Sequence, residues 1–82
     1  MKVSTKCRRA AKFFPTHLTK IREEAGLSKN SLSEMAGLSQ SYLVLLEQGE
    51  RNPTLETLIR LSHGLEISLI DLIGGIDQVI SE

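Results

Sequence analysis

The chain has 82 residues, of which 40% are hydrophobic and 24% are charged, a composition typical of one small folded domain. A single cysteine, Cys7, excludes an intramolecular disulfide and a cysteine-rich metal site, which favours a reducing compartment. No apolar run approaches the ~20 residues of a membrane span, and the N-terminus lacks the apolar stretch of a signal peptide. We therefore expect a cytoplasmic protein that needs neither a metal nor a cofactor.

The formal net charge of zero hides an opposition between two parts of the chain. Residues 1–30 hold eight basic and two acidic residues, whereas residues 31–82 hold two basic and eight acidic residues. Such a division indicates a polyanionic partner or an oppositely charged protein surface, although a solvated basic tail explains it equally well. Residues 1–13 hold five basic residues and no acidic one, and we expect them to form a flexible arm.

The first of five predicted helices should begin at Pro15, because proline suits the first helical position, and end at about Ala25. Leu18, Ile21 and Ala25 lie at i, i+3 and i+7 and form an apolar stripe. Gly26 follows, and glycine commonly ends a helix. The spacing therefore predicts an amphipathic helix.

A four-residue pattern, A-G-L-S, occurs at residues 25–28 and again at 36–39. In each copy glycine can end one helix in the left-handed conformation, leucine can point inward, and serine can cap the next helix. Two helices, at about 29–36 and 40–48, are predicted on either side of the second copy, and Gly49 ends the latter. Short helices joined in this way form a tight helix-turn-helix.

The remaining sequence predicts a loop and two more helices. E-R-N-P at 50–53 forms the loop, because the residue before a proline disfavours helix. Thr54 caps a fourth helix that ends near Gly64, and Ser68 caps a short fifth helix at 69–73. The inward face of the fourth helix is expected to carry Leu55, Leu58, Ile59 and Ser62.

Four motifs carry a resemblance to a known family. They are L-x-x-x-R-E-x-x-G-L-S from Leu18, L-S-E-M-A-G-L-S from Leu32, S-Y-L-x-x-x-E-x-G from Ser41, and R-N-P-T-L-E-T-L from Arg51. Together, over about residues 14–73, they resemble the XRE/Cro-like (lambda-repressor-like) helix-turn-helix transcriptional regulators. The resemblance implies a compact all-α, five-helix DNA-binding domain that acts as a homodimer on a palindromic operator. The expected division of the chain is an arm at 1–13, the domain at 14–75 and a tail at 76–82.

The third helix separates into two faces when each residue is advanced by 100°. The face opposite the core residues Leu43 and Leu46 spans about 140° and comprises Gln40, Ser41, Val44 and Leu45. In the family this outward face enters the major groove, so the resemblance implies that these four residues contact bases. Gln40 can bond adenine, and Ser41 can bond several bases. Val44 and Leu45 suit thymine methyl groups, but a partner protein would cover them equally well.

Other residues are expected to contact the DNA backbone or to orient the third helix. Lys29 begins a helix beside the Ser28 cap, where amide groups and a positive charge favour a phosphate. The full set of expected backbone contacts is Ser28, Lys29, Ser39, Tyr42, Arg51 and Asn52. Asn52 has a second explanation, since it precedes Pro53 and shapes the turn. The resemblance also implies an internal ion pair between Arg22 and Glu47.

The C-terminal sequence is acidic and apolar, which suits a dimer interface turned away from DNA. Its candidate interface residues are Leu69, Ile70, Ile73, Ile76, Val79 and Ile80. His17 and His63 are isolated, and no nucleophile, base or phosphate loop stands out, so the sequence does not predict an enzyme. The expected partners are double-stranded DNA and a second copy of the chain, and a regulatory protein is a further candidate. The alternative is a protein-interaction module, or an antitoxin-type partner protein, on the same fold.

Overall fold

The computed structural model describes the backbone of residues 3–74 and the side chains of residues 12–74. The helices of this part of the chain are α1 (Val3–Glu24), α2 (Lys29–Ala36), α3 (Gln40–Gln48), α4 (Leu55–Leu65) and α5 (Leu69–Ile73). α2 packs against α3 and α4, α1 packs against α3, and α5 packs against α4 and α1. Over residues 3–74, the all-α, five-helix fold predicted from the sequence is confirmed.

The ends of α1, α2 and α4 use the same corner, as does the end of α3 at Gly49. Gly26, Gly37 and Glu66 take the left-handed conformation, with φ angles of 73°, 70° and 57°. The next amide then donates to a carbonyl five residues earlier: Leu27 to Arg22 at 3.1 Å, Leu38 to Ser33 at 2.8 Å and Ile67 to Ser62 at 3.0 Å. The sequence predicted the corners at Gly26 and Gly37. It did not predict the corner at Glu66, because glutamate rarely adopts a positive φ.

The first helix begins much earlier than the sequence predicted. It starts at Val3 and runs through Pro15, so residues 3–13, expected as a flexible arm, lie within α1. Proline lacks an N–H group and removes one helical hydrogen bond, but Ala, Lys and Arg before it favour helix. Phe14 and Leu18 also anchor both sides of the proline in the core. Pro15 was therefore wrongly taken as a helix start.

The core is aliphatic apart from Phe14 and draws on all five helices. Its buried hydrophobic residues are Phe14, Leu18, Leu32, Ala36, Leu43, Leu46, Leu61, Leu65 and Leu72. The predicted face of α4 was partly wrong: Leu55 and Ile59 are 67% and 51% exposed, whereas Ser62 is buried and Leu58 is half-buried. The stripe of Leu58, Leu61 and Leu65 has equally good helical spacing, and packing selects it over the stripe of Leu55 and Ile59.

α2 and α4 approach each other closely at Gly64. A Cβ atom at this position would lie 3.0 Å from the backbone nitrogen of Ala36 and 3.1 Å from its Cα. These are backbone atoms, which cannot rotate aside as the end of a long side chain can. The glycine within α4 therefore sets the distance between the two helices.

Gly64→Ala should lower the free energy of unfolding by about 1 kcal/mol, since overpacking outweighs the better helix propensity of alanine. Urea denaturation at one fixed protein concentration measures the change. His63→Ala, at the neighbouring exposed position, is the matched control and should change stability by less than about 0.5 kcal/mol. An increase in stability for Gly64→Ala would contradict the close approach.

Candidate nucleic-acid interface

α2 and α3 form a helix-turn-helix whose ends are fixed by serine caps. The Ser28 hydroxyl accepts a hydrogen bond from the Ser31 amide at 3.0 Å, and the Ser39 hydroxyl accepts one from the Tyr42 amide at 3.1 Å. Between the helices lies the α2–α3 corner (residues 36–39), where Gly37 has positive φ and Leu38 packs against the core. Local sequence thus sets where α2 ends and where α3 begins.

α3 has one buried face and one outer face. Leu43 and Leu46 are fully buried, and Tyr42 packs partly against the core. Gln40 and Ser41 are exposed on the outer face, at the N-terminal end of the helix. Val44 and Leu45 are half-buried. The structure thus brings the four residues expected to contact bases together on one outward surface.

A buried ion pair joins the inner face of α3 to α1. Arg22 Nε donates to Glu47 Oε2 at 2.7 Å and Arg22 Nη2 donates to Glu47 Oε1 at 3.1 Å. The two side chains are only 9% and 4% exposed. The bond to the Glu47 carboxylate raises the pKa of Arg22 above its ordinary value, so the guanidinium stays charged despite its burial. The ion pair implied by the resemblance is present.

Two further groups complete this buried network. Arg22 Nη1 donates to the carbonyl of Leu27 at 2.8 Å, which ties the ion pair to the segment between α1 and α2. The Thr19 hydroxyl lies 3.0 Å from Glu47 Oε1 and 3.0 Å from the Pro15 carbonyl. Sequence reasoning missed Thr19, although its position three residues before Arg22 places both on neighbouring parts of one helical face.

Tyr42 connects α3 to α4 through a chain of hydroxyl groups. Its hydroxyl lies 3.2 Å from the Thr57 hydroxyl, which lies 3.0 Å from the hydroxyl of Thr54, the cap of α4. Thr57 is buried, so this contact satisfies a polar group inside the protein. The Tyr42 hydroxyl, expected to be available for the DNA backbone, already has a partner within the chain. Its contact with DNA stays a prediction.

The other expected backbone contacts lie at both ends of the helix-turn-helix. Ser28 is exposed and Lys29 is half-buried at the start of α2, and Ser39 is exposed at the start of α3. Arg51 and Asn52 are exposed in the loop between α3 and α4. Glu50 is exposed beside them and would oppose a phosphate at close range. Whether these residues contact DNA stays a prediction.

The candidate dimer residues do not share one environment. Leu69 and Ile73 are half-buried and pack against the core, whereas Ile70 is 77% exposed. Ile76, Val79 and Ile80 lie outside the described residues.

Among the described side chains, those of residues 12–74, no three from His, Cys, Asp or Glu gather into a group that could hold a metal ion. None of the described helices is long and apolar enough to cross a membrane.

Glu47→Ala should lower the free energy of unfolding by about 3–5 kcal/mol, because it leaves the buried Arg22 charge without its partner. Chemical denaturation at a fixed protein concentration measures the loss. Should Glu47→Ala fail to fold, Glu47→Gln replaces it in the same measurement, because it keeps the side-chain shape and removes only the charge.

Glu56→Ala is the matched control for Glu47→Ala. Glu56 also binds an arginine Nε, that of Arg60 at 2.9 Å, but both side chains are exposed. Because exposed ion pairs contribute little, its loss should be within about 1 kcal/mol. Equal losses for Glu47→Ala and Glu56→Ala would show that the Arg22–Glu47 pair has no special role.

Comparison with known proteins gives a consistent result. The helix-turn-helix family model matches residues 7–72 of the chain. An uncharacterized HTH-type transcriptional regulator of Sinorhizobium fredii, y4dJ, is 36% identical over 67 residues, which are 82% of this chain and 87% of that protein. Control protein C.MunI of Mycoplasma sp. is 35% identical over 66 residues, which are 79% of this chain and 89% of the relative.

A solved structure is also similar. The restriction-modification controller protein C.AhdI of Aeromonas hydrophila superposes with a TM-score of 0.70 at 34% identity, covering 72% of this chain and 89% of that one. Other relatives are longer, and this chain spans between 32% and 56% of their length. The motifs, the helix-turn-helix geometry and these matches agree. The chain belongs to the XRE/Cro-like helix-turn-helix family of DNA-binding transcriptional regulators.

Proposed function

We propose that the chain is a sequence-specific regulator, acting as a repressor and autoregulator, that binds a palindromic operator as a homodimer with α3 in the major groove. The proposal rests on one observation: α3 has a buried inner face and a separate outer face. Its inner face is held by Leu43, Leu46 and the Arg22–Glu47 ion pair. Its outer face presents four side chains that the fold does not need for its core.

Base recognition would come from the N-terminal half of α3. Gln40 offers both an amide donor and a carbonyl acceptor, which match the major-groove edge of adenine. Val44 and Leu45 cannot form hydrogen bonds through their side chains, so they would pack against thymine methyl groups. The operator should therefore contain A·T pairs opposite these residues. With few polar contacts, DNA shape should contribute to the choice of site.

The DNA backbone would be held on both sides of α3. The start of α2 offers the Ser28 hydroxyl, helix-terminal amides and the Lys29 charge, a combination that favours a phosphate. Ser39 and Tyr42 would contribute at the start of α3. Arg51 and Asn52 would contribute from the loop that follows. These contacts would add affinity that depends on salt rather than on sequence.

The dimer would form through α4 and α5. Four large hydrophobic side chains are exposed in the described part of the chain, and three of them, Leu55, Ile59 and Ile70, lie on these two helices. Leu55 and Ile59 lie one turn apart on α4, and Ile70 lies on α5, which packs against α4. Leu69, Ile73 and the sequence positions Ile76, Val79 and Ile80 would extend this surface. Two subunits joined here would read half-sites about 34 Å apart.

The similar proteins C.MunI and C.AhdI are control proteins, and the latter belongs to a restriction-modification system. Their likeness supports a role in the control of gene expression. We propose that the amount of this regulator sets its effect. Such a protein would act at the nucleoid, with double-stranded DNA as its main partner. A regulatory protein that binds the outer surface of α3 is the second possibility, and the apolar pair Val44 and Leu45 favours it.

Selection of bound DNA from a random pool should enrich a palindrome with A·T pairs opposite Val44 and Leu45. Affinity for that DNA should fall steeply between low and moderate salt, because several phosphates release their counterions. Gln40→Ala should weaken binding to the enriched DNA about tenfold, the typical loss for one base contact.

Gln48→Ala is the matched control for Gln40→Ala. It removes the same type of side chain from the same side of α3, but about 12 Å further along the helix and beyond the N-terminal half proposed to read bases, and should leave affinity nearly unchanged. No enriched sequence, together with weak binding that ignores Gln40→Ala, would contradict the proposal. It would favour a protein that covers Val44 and Leu45.

Ile59→Lys and Ile70→Lys should each weaken the dimer at least about tenfold, since each places a charge in an apolar interface. Sedimentation velocity across a range of concentrations measures the change. Both residues are more than half exposed in the monomer, so helix content should be preserved. Met35→Lys, at the exposed hydrophobic residue of α2, is the control and should leave the dimer intact. Unchanged dimerization in both isoleucine variants would exclude this surface.

A further inference from the structure

The guanidinium of Arg60 lies against the α2–α3 corner. Its Nη1 atom is 2.8 Å from the point that a Cβ atom on Gly37 would occupy. Arg60 Nε donates to Glu56 Oε2 at 2.9 Å, one turn earlier on α4. The arginine thus extends from one helix to the end of another, with Glu56 bonded to its guanidinium.

The end of α2 is a favourable place for a positive charge. Carbonyl groups at a helix C-terminus carry a partial negative charge, which a nearby cation stabilises. The last turn of α2 contains no basic residue of its own. Arg60 on α4 places a positive charge beside Gly37, at this end of α2.

The contact at Gly37 lies only three residues before Gln40. Gln40 begins the recognition surface, which is the outer face of α3 (Gln40, Ser41, Val44 and Leu45). Gly37 ends α2, Ser39 caps α3, and Gln40 is the first residue of α3. α4 meets the corner at a second point, because Gly64 lies against the backbone of Ala36. Residues 60 and 64 are one turn apart, so one face of α4 holds the corner at two adjacent places.

We propose that Arg60 is a positioning residue for DNA recognition, which sets the direction of α3 through the α2–α3 corner. This inference rests on the proposed function of α3. Arg60 acts without touching DNA: it holds Gly37, and Gly37 determines where Ser39 and Gln40 lie.

The test compares Arg60→Ala and Arg60→Lys with the wild-type chain, using the DNA enriched by the selection and a scrambled duplex. Arg60→Ala should weaken binding to the enriched DNA about fivefold, within the range for residues that act through others. Binding to the scrambled duplex should not change. Arg60→Lys should restore part of the affinity, because it keeps the charge but lacks the planar guanidinium. Lys20→Ala, which removes an exposed charge from α1, is the control for net charge.

The salt dependence of DNA binding distinguishes a positioning role for Arg60 from a direct contact between Arg60 and DNA. If Arg60 acts through the corner, the slope of log affinity against log salt is the same in Arg60→Ala and the wild type. A slope reduced by about one charge would make Arg60 a phosphate contact and would overturn the proposal. Unchanged affinity, or an equal loss on enriched and scrambled DNA, would also overturn it.

A substitution at Gly37 gives an independent check. Gly37→Ala introduces a Cβ that meets Arg60 and also strains the positive φ. In the Arg60→Ala background only the strain remains, so the loss of affinity caused by Gly37→Ala should be smaller there. Equal losses in both backgrounds would show that Arg60 and Gly37 are not coupled.

Amide hydrogen exchange tests the contact without DNA. The Gly37 amide donates to the Glu34 carbonyl at 3.2 Å, and the Leu38 amide donates to the Ser33 carbonyl. Both amides should exchange faster in Arg60→Ala. If the wild-type chain selects no DNA sequence, the proposed function fails and the role of Arg60 in recognition fails with it. If DNA is selected but Arg60→Ala changes neither exchange nor affinity, only the present proposal fails.

Discussion

One buried ion pair, between Arg22 on α1 and Glu47 on α3, links the helix-turn-helix to the first helix. Two charges removed from water cost several kcal/mol unless their hydrogen bonds are satisfied, and here they are shared with Thr19 and the Leu27 carbonyl. The network fixes how α3 lies across α1. Hydrophobic contacts alone would allow small rotations of α3, whereas a two-point bond between guanidinium and carboxylate has a defined direction. The ion pair thus selects one orientation for the outer face of α3.

α4 supports the helix-turn-helix from the other side. The buried Thr57 hydroxyl meets Tyr42 of α3, Gly64 meets the end of α2, and Arg60 lies against the corner between them. The opposite face of the same helix exposes Ile59, which the proposed dimer would bury. One helix therefore carries both the support of the recognition surface and part of the proposed subunit contact. Any change in how α4 packs would therefore alter both the recognition surface and the proposed subunit contact.

Sequence reasoning succeeded where the information was local. The A-G-L-S copies predicted the limits of α2 and α3, because caps and left-handed corners depend on a few adjacent residues. It failed at Pro15, where helix propensity and core packing on both sides outweighed a start signal, and at Ile59, where two stripes had equal spacing. Thr19 and Arg60 were missed because their partners are remote in sequence.

The corners at Gly26, Gly37 and Glu66 close through hydrogen bonds between residues only three to five apart. Contacts between residues so close in sequence cost little loop-closure entropy. The reversals of the chain can therefore form before the helices pack against their long-range partners. We therefore expect the domain to fold quickly, with α2 and α3 joined early. The slower step would be the docking of α1 against α3. This step brings together Arg22 and Glu47, which are 25 residues apart in sequence. The direction of the recognition helix would then be fixed last.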